Sequence, residues 1–270
     1  MDMFASSLFE NKTILVSGGR SGIGFAISKA YLQYGAQVFI ASWKKDLLEK
    51  AAEELKQFGK CHAVTCDIRS PEDIDALAQT IEETTGHLDI LVNNAGGQFP
   101  APAHIMAEKG WATVINNNLN GTFYMCQMMA NRFFIPQNSG NIINITANVL
   151  RGFPGMAHTG AARAGVENLT KSLGQEWANF GIRVNAVAPG TIATTGLDQY
   201  PPLIQETFEK MKQNNLMKRF GTANDVANAV LFLSSPLASY ISGITLAVDG
   251  LEHLSGDRMG IYKALMDMMK

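Results

Sequence analysis

The segment Ile14-Leu15-Val16-Ser17-Gly18-Gly19-Arg20-Ser21-Gly22-Ile23-Gly24 runs from an apolar strand, through a glycine turn, into a helix. Each glycine has a task in that reading. Gly18 permits the tight turn, Gly22 lets the backbone approach a pyrophosphate, and Gly24 lets the helix pack closely on the sheet. The helix start presents free N–H groups and the positive end of its dipole to the anion. A glycine cluster alone says little; between a strand and a helix it marks a dinucleotide-binding crossover. Arg20, Ser21 and Ile23 share the turn and are assigned to the cofactor with its glycines.

Outward from the turn, apolar runs alternate with amphipathic stretches. The strand candidates are Thr13–Ser17, Gln37–Ala41, Cys61–Cys66, Ile90–Asn93, Gly140–Thr146, Arg183–Ala188 and Thr245–Val248. The helix candidates are Ile23–Tyr34, Asp46–Phe58, Pro71–Thr85, Trp111–Phe134, Ala157–Asn179 and Ala223–Leu233. This alternation predicts an α/β fold: a single-domain Rossmann-type doubly wound parallel sheet with helices on both faces, over residues 1–270. Two stretches break the rhythm. Residues 191–220 follow Pro189-Gly190 and contain Tyr200-Pro201-Pro202, which suits a substrate loop over the carboxyl ends of the strands. Residues 251–270 end in the Met-rich segment Ile261–Lys270, expected to be a helical tail packed on its own subunit or a neighbour, or a lid over an acyl chain.

The bulk numbers narrow the partners. With 22 basic and 24 acidic residues the formal charge is −2, which argues against nucleic acid and anionic membranes. No apolar run approaches the roughly 20 residues of a membrane helix. The start, Met1-Asp2-Met3-Phe4, has no basic and apolar leader, so a cytoplasmic protein is expected. Cys61, Cys66 and Cys126 lack metal-ligand spacing, so reduced thiols and no metal site are expected.

Cofactor choice is read after the second strand, where an acid would accept the ribose 2′-hydroxyl of NAD. Ala41-Ser42-Trp43-Lys44-Lys45 has no acid before Asp46. NADP(H) is therefore expected over NAD(H), with Arg20, Ser42 and Lys44 on the 2′-phosphate and Trp43 near the adenine. Lys44 and Lys45 equally suit a solvated helix start.

Further motifs resemble the short-chain dehydrogenase/reductase superfamily across nearly the whole chain. Cys66-Asp67-Ile68 is similar to its adenine-binding segment, with Asp67 on the adenine amino group and Ile68 beside it. Asn93-Asn94-Ala95-Gly96 resembles the motif after its fourth strand, which places Asn94, Ala95 and Gly96 at the cofactor. Asn118-Leu119-Asn120-Gly121 resembles the element carrying its active-site asparagine, here Asn118. Pro189-Gly190-Thr191-Ile192-Ala193-Thr194 is similar to its nicotinamide-amide loop, which implicates Pro189, Gly190, Ile192 and Thr194.

The catalytic Ser-Tyr-Lys set of that family does not carry over intact. Ala164-Gly165-Val166 and Leu169-Thr170-Lys171-Ser172-Leu173 fix the register. In that register Thr159 stands at the Tyr position and Arg163 at the Lys position. Asn144-Ile145-Thr146-Ala147 puts Thr146 at the Ser position. His158-Thr159-Gly160-Ala161-Ala162-Arg163, Gly121-Thr122-Phe123-Tyr124-Met125-Cys126 and the run from Asn93 to Phe99 resemble the peroxisomal trans-2-enoyl-CoA reductase and 2,4-dienoyl-CoA reductase group. The C-terminal Met268-Met269-Lys270 is not a peroxisomal tripeptide.

That resemblance implies a small-molecule acyl-CoA substrate and a homo-oligomer, dimer or tetramer, paired through Trp111–Phe134 and Ala157–Asn179. It also explains a missing phenol. Carbonyl reduction needs an acid at the oxygen. Hydride addition to an enoyl thioester instead builds enolate charge on the thioester oxygen, where preorganised donors suffice. Thr146 and Thr159 are the candidate donors, Arg163 the ribose ligand, Asn118 an organiser of water or a carbonyl, and Gln98 and Phe99 the acyl-pocket lining. Thr146 also reads as a plain strand end, Thr159 as a helix cap, His158 as a packing residue and Glu167 as structural. The activity expected is 2-enoyl-CoA reduction. Dienoyl-CoA reduction, a catalytically silent NADP-binding sensor or scaffold, and an atypical ketone or alcohol dehydrogenase stand as alternatives.

Overall fold

Thr13–Ser17 forms β1, buried along its whole length, as a strand covered on both faces must be. The computed structural model describes residues 7–194, 212 and 215–254. The strands β1, β2 (Gln37–Ser42), β3 (Cys61–Thr65), β4 (Ile90–Asn93), β5 (Gly140–Ile145), β6 (Ile182–Pro189) and β9 (Thr245–Val248) make one sheet in the order β3-β2-β1-β4-β5-β6-β9. Every pairing in it is parallel. The order reverses between β1 and β4, and a crevice opens there at the carboxyl ends.

The helices are α1 (Gly22–Gln33), α2 (Lys45–Leu55), α3 (Pro71–Thr85), α4 (Glu108–Ile115), α5 (Gly121–Met129), the single turn α6 (Ile135–Gln137), α7 (Ala157–Glu176) and α8 (Ala223–Ser234). They cover both faces. Ile14, Val16, Val38 and Ile40 pack on one side with α1, α2 and α8 through Ile27, Leu48 and Val230. Leu15, Phe39 and Leu91 pack on the other with α3, α5 and α7 through Leu77, Met125 and Leu173. A β1 that is buried everywhere still alternates its side chains between two cores.

The expected strands β1, β4 and β9 have the observed ends, and the others shift by a residue or so. Larger differences have local causes. The stretch read as one helix over Trp111–Phe134 starts at Glu108 and carries two π-helical turns, Asn116–Asn120 and Ala130–Phe134. Helix α7 stops at Glu176, before a 3-10 turn at Ala178–Phe180 that ends on Gly181 at φ 67°. A short parallel pair, β7 (Ile192–Ala193) with β8 (Gly221–Thr222), has no periodicity long enough to be read from sequence. The substrate loop expected at 191–220 and the tail expected at 251–270 lie mostly outside the described residues, Tyr200-Pro201-Pro202 and Ile261–Lys270 wholly so. Among the described residues no helix is long and apolar enough to cross a membrane, and no cluster of His, Cys, Asp or Glu has the makings of a metal site.

Candidate active site

Gly18 sits at φ 67° and Gly22 at φ 55°, a backbone region that side chains disfavour. A Cβ at Gly24 would overlap the Gly18 carbonyl and the Asn94 amide. Helix α1 therefore lies tight against the turn, and no side chain caps its first N–H groups. Ser17 then ties the next motif to this one. Its Oγ accepts from the backbone N–H of Asn94 at 3.1 Å and of Ala95 at 3.0 Å. Asn94 Nδ2 donates to the carbonyls of Ser17 at 3.1 Å and Gly18 at 3.2 Å.

These elements enclose a polar cleft of about 200 Å3, lined by Gly18, Arg20, Ser21, Ser42, Trp43, Asp67, Ile68, Asn94, Ala95 and Gly96 among others. Trp43 is exposed, and Lys44 Nζ lies 5.0 Å from its ring centroid rather than in the cleft lining. The Asp67 carboxylate is held by Arg69, Nη2 to Oδ2 at 2.5 Å and Nε to Oδ1 at 2.8 Å, which keeps it below the usual carboxylate range. A glycine cradle, free helix N–H groups and a cation beside an acid-free strand end fit a dinucleotide.

The cleft continues into a larger cavity of about 650 Å3. Ile23, Pro189, Gly190, Ile192 and Thr194 form its cofactor-side wall, and Gln98, Pro100 and the segment from Gly152 to Met156 its outer wall. Thr146, Asn148, Arg163 and Glu252 supply polar groups between them. Phe99 lies outside this lining. Its ring stands edge-on to His158, centroids 4.7 Å apart.

Asn118 is buried in the first π turn. Its Nδ2 donates to the carbonyls of Val114 and Gly97, each at 2.8 Å, and its Oδ1 accepts from Gly97 N–H at 3.3 Å. The extra residue of a π turn opens the helix at such a site. A buried network, Asn93 Nδ2 to Asn144 Oδ1 at 2.9 Å and Asn144 Nδ2 to Thr170 Oγ1 at 2.9 Å, locks β4, β5 and α7 beneath the cavity.

Thr146, Thr159 and Arg163, grouped by the sequence register, part company here. Arg163 reaches the cavity wall. Its Nη1 donates to the Ile145 carbonyl at 2.8 Å, and its other end lies against Gly96 and near Asn118. Burial lowers it to about 10, so it stays cationic at neutral pH. Thr146 lines the cavity, but its hydroxyl donates to the Val187 carbonyl at 3.2 Å. Thr159 is fully buried and outside the lining. Its Oγ1 is 3.2 Å from His158 Nδ1, and that same nitrogen accepts the Thr159 N–H at 2.7 Å. Thr159 is no helix cap either, since the N-cap of α7 is Met156. The sequence register expected Thr159 at the site, but its short side chain does not reach the cavity.

His158 is also fully buried. Accepting the Thr159 N–H at Nδ1 puts the ring proton on Nε2, which has no partner. Its tautomer thus denies Thr159 a proton.

Residues absent from the sequence-level assignment close the site. Glu252 accepts Thr191 N–H through both carboxylate oxygens at 3.1 Å and Asn215 Nδ2 at 3.2 Å, clamping the loop after β6. Asn148 Nδ2 donates to Asp249 Oδ2 at 3.1 Å. Glu167, one turn beyond Arg163, hydrogen-bonds Thr146, and burial raises its carboxyl above the ordinary value. Glu167 reads from the sequence as structural, and its raised carboxyl follows from burial, which spacing does not show.

A family model described as enoyl-(acyl carrier protein) reductase matches residues 18–250. The peroxisomal 2,4-dienoyl-CoA reductase of Rattus norvegicus is 36% identical over 253 residues, covering 92% of this chain and 86% of that protein. The 3-oxoacyl-(acyl-carrier-protein) reductase of Thermotoga maritima is 35% identical, covering 89% of this chain and 97% of that one. Among solved structures, a citronellol catabolism dehydrogenase of Pseudomonas aeruginosa PAO1 superposes with a TM-score of 0.82 at 38% identity, covering 92% and 97% of the two chains.

Proposed function

The chain belongs to the short-chain dehydrogenase/reductase family, and from that premise we propose that it reduces the carbon–carbon double bond of 2-enoyl-CoA thioesters with NADPH. It is an oxidoreductase of a fold that binds a nicotinamide cofactor, related to 2,4-dienoyl-CoA reductases. One observation carries the finer reading. The cavity next to the dinucleotide cleft has no phenol in its lining among the described residues; its ionisable groups there are Arg163 and Glu252.

When bound, the reduced nicotinamide supplies a hydride. The turn from Gly18 to Gly24 holds the pyrophosphate, and Asn94, Ala95 and Gly96 bound the adenosine side. Asp67 and Ile68 frame the adenine. Arg20 and Ser42 would hold a 2′-phosphate, with Lys44 turning from Trp43 to join them and Trp43 beside the adenine, and this would favour NADP(H) over NAD(H). Pro189, Gly190, Ile192 and Thr194 orient the nicotinamide end, and Arg163 holds its ribose. Thr146 offers a hydroxyl to the substrate after turning from Val187. Thr159 lies behind the wall, against His158, and supports it by packing. Asn118 fixes the Gly97 backbone, and Gln98 contacts the acyl part. A cytoplasmic homo-oligomer is part of the same reading.

Steady-state NADPH oxidation with crotonyl-, decenoyl- and decadienoyl-CoA and a 3-oxoacyl-CoA tests it. We expect the 2-enoyl thioesters to turn over fastest. Faster decadienoyl-CoA turnover would favour the dienoyl reaction named for the rat relative. Faster 3-oxoacyl-CoA turnover would overturn the reading in favour of a ketoreductase. Tight NADPH binding with no oxidation of any thioester would leave a silent binder.

A further inference from the structure

The geometry points to Arg163 as the donor that stabilises the thioester oxygen of the substrate, so that one side chain serves both cofactor ribose and substrate. This rests on the reductase reading above. It differs from that reading in moving the oxyanion contact from the two threonines to the arginine.

The Thr159 hydroxyl is sealed from the cavity and faces His158. The Thr146 hydroxyl is already engaged, between the Val187 carbonyl and the Glu167 carboxyl. Asn118 spends both amide protons on Gly97 and Val114. Asn148 gives one amide proton to Asp249. Arg163 alone brings a positive charge, and among the described residues no carboxylate pairs with it.

Its burial makes this an unusual resource. The side chain is 9% exposed, and an unpaired buried cation is costly unless something compensates it. One guanidinium N–H is committed, to the Ile145 carbonyl. The others remain for ligands on the cavity side. The planar fork sits between Gly96, at the cofactor cleft, and Thr146, at the substrate cavity. A lysine would bring a single point of charge; a guanidinium can address two acceptors at once. Gly96 is part of the arrangement, since a Cβ there would overlap Arg163 and Asn118.

The reaction balances with this assignment. Hydride forms a C–H bond at the β-carbon, and the double-bond pair moves towards the α-carbon and the thioester oxygen. NADPH is oxidised and the thioester reduced. Negative charge appears where the guanidinium waits, and water returns a proton to the α-carbon. A fixed cation beside a developing oxyanion is the arrangement that lowers such a barrier.

The test uses the NADP⁺-loaded protein and acetoacetyl-CoA, whose enolate has its own near-ultraviolet band and which NADP⁺ cannot reduce. The wild type should raise that band on binding at neutral pH. Arg163→Gln should lose it, and should lower enoyl-CoA turnover by about 100- to 1,000-fold. Arg163→Lys, which keeps the charge, should restore part of both. Circular dichroism and NADP⁺ titration establish that each variant is folded and loaded. A band that persists in Arg163→Gln, or is missing in the wild type, overturns the assignment even if enoyl thioesters turn over. A band lost only in Arg163→Gln, with no enoyl thioester reduced by the wild type, sinks the reductase reading and leaves the arginine as the enolate donor.

Discussion

Around the glycine turn the surface of the cleft is mostly backbone: a left-handed Gly18, the open start of α1, and the Asn94-Ala95 strand end tied to Ser17. At the other end it is made of separate side chains, Arg163, Thr146, Asn148 and Glu252, brought from three segments of the chain. The first half has little freedom, because a glycine motif either fits the phosphate or does not. The second half can exchange one hydroxyl or cation for another without disturbing the sheet. A family can therefore keep its cofactor and change its chemistry, and the proposed function places such a change at positions 146, 159 and 163.

The most severe way to break the contrast is at the rigid end. Gly24→Ala places a methyl group on the Gly18 carbonyl and the Asn94 amide. Neither can retreat, since both are held by the β1–β4 strand ends. We expect a loss of about 1–3 kcal/mol in stability. A change that moves the helix start from the pyrophosphate should also weaken NADPH binding, by about 100-fold for two lost charge-assisted contacts. Denaturant unfolding and fluorescence titration read the two effects. Wild-type affinity in a folded Gly24→Ala protein would show that the backbone cradle is not the binding device.

A second change separates the two cofactors at that same end. Arg20 lines the cleft beside Ser42 and the acid-free end of β2. Arg20→Ala should raise the dissociation constant for NADPH by about 10- to 100-fold, the worth of one charged hydrogen bond. NADH should bind as before. Equal losses for both cofactors would move Arg20 from the 2′-phosphate to the pyrophosphate.

The same division explains what was legible in the sequence. Strand ends β1, β4 and β9 are marked by apolar runs meeting turns, and the glycine turn by residues whose backbone freedom is their function. The π turns of Asn116–Asn120 and Ala130–Phe134 leave the helical spacing too slightly altered to be seen. Thr159 illustrates a different limit. Register fixes where a residue stands, but not whether its side chain spans the distance, and a buried threonine facing His158 does not. Glu252 and Asn148 were invisible because their partners, Thr191 and Asp249, are set by folding and not by spacing.

Glu167 gives the smallest effect, and the one most particular to the side-chain half. Burial raises its carboxyl, with the Lys171 charge and the Thr146 hydroxyl pulling the other way. A folded-state value above the unfolded one means that the folded protein holds the proton more tightly. Stability from this group is then fully present below its ordinary range and is lost as pH rises through the raised value. Glu167→Gln removes that loss. Relative to wild type, the variant should therefore gain stability between pH 4 and pH 8, by under about 0.5 kcal/mol once solvent screening of a half-buried group is allowed for. Denaturant midpoints at the two pH values measure it. A difference that stays constant, or reverses, would mean that the folded protein does not hold the Glu167 proton more tightly than the unfolded chain, and that Lys171 and Thr146 outweigh burial in the floor beneath the cavity.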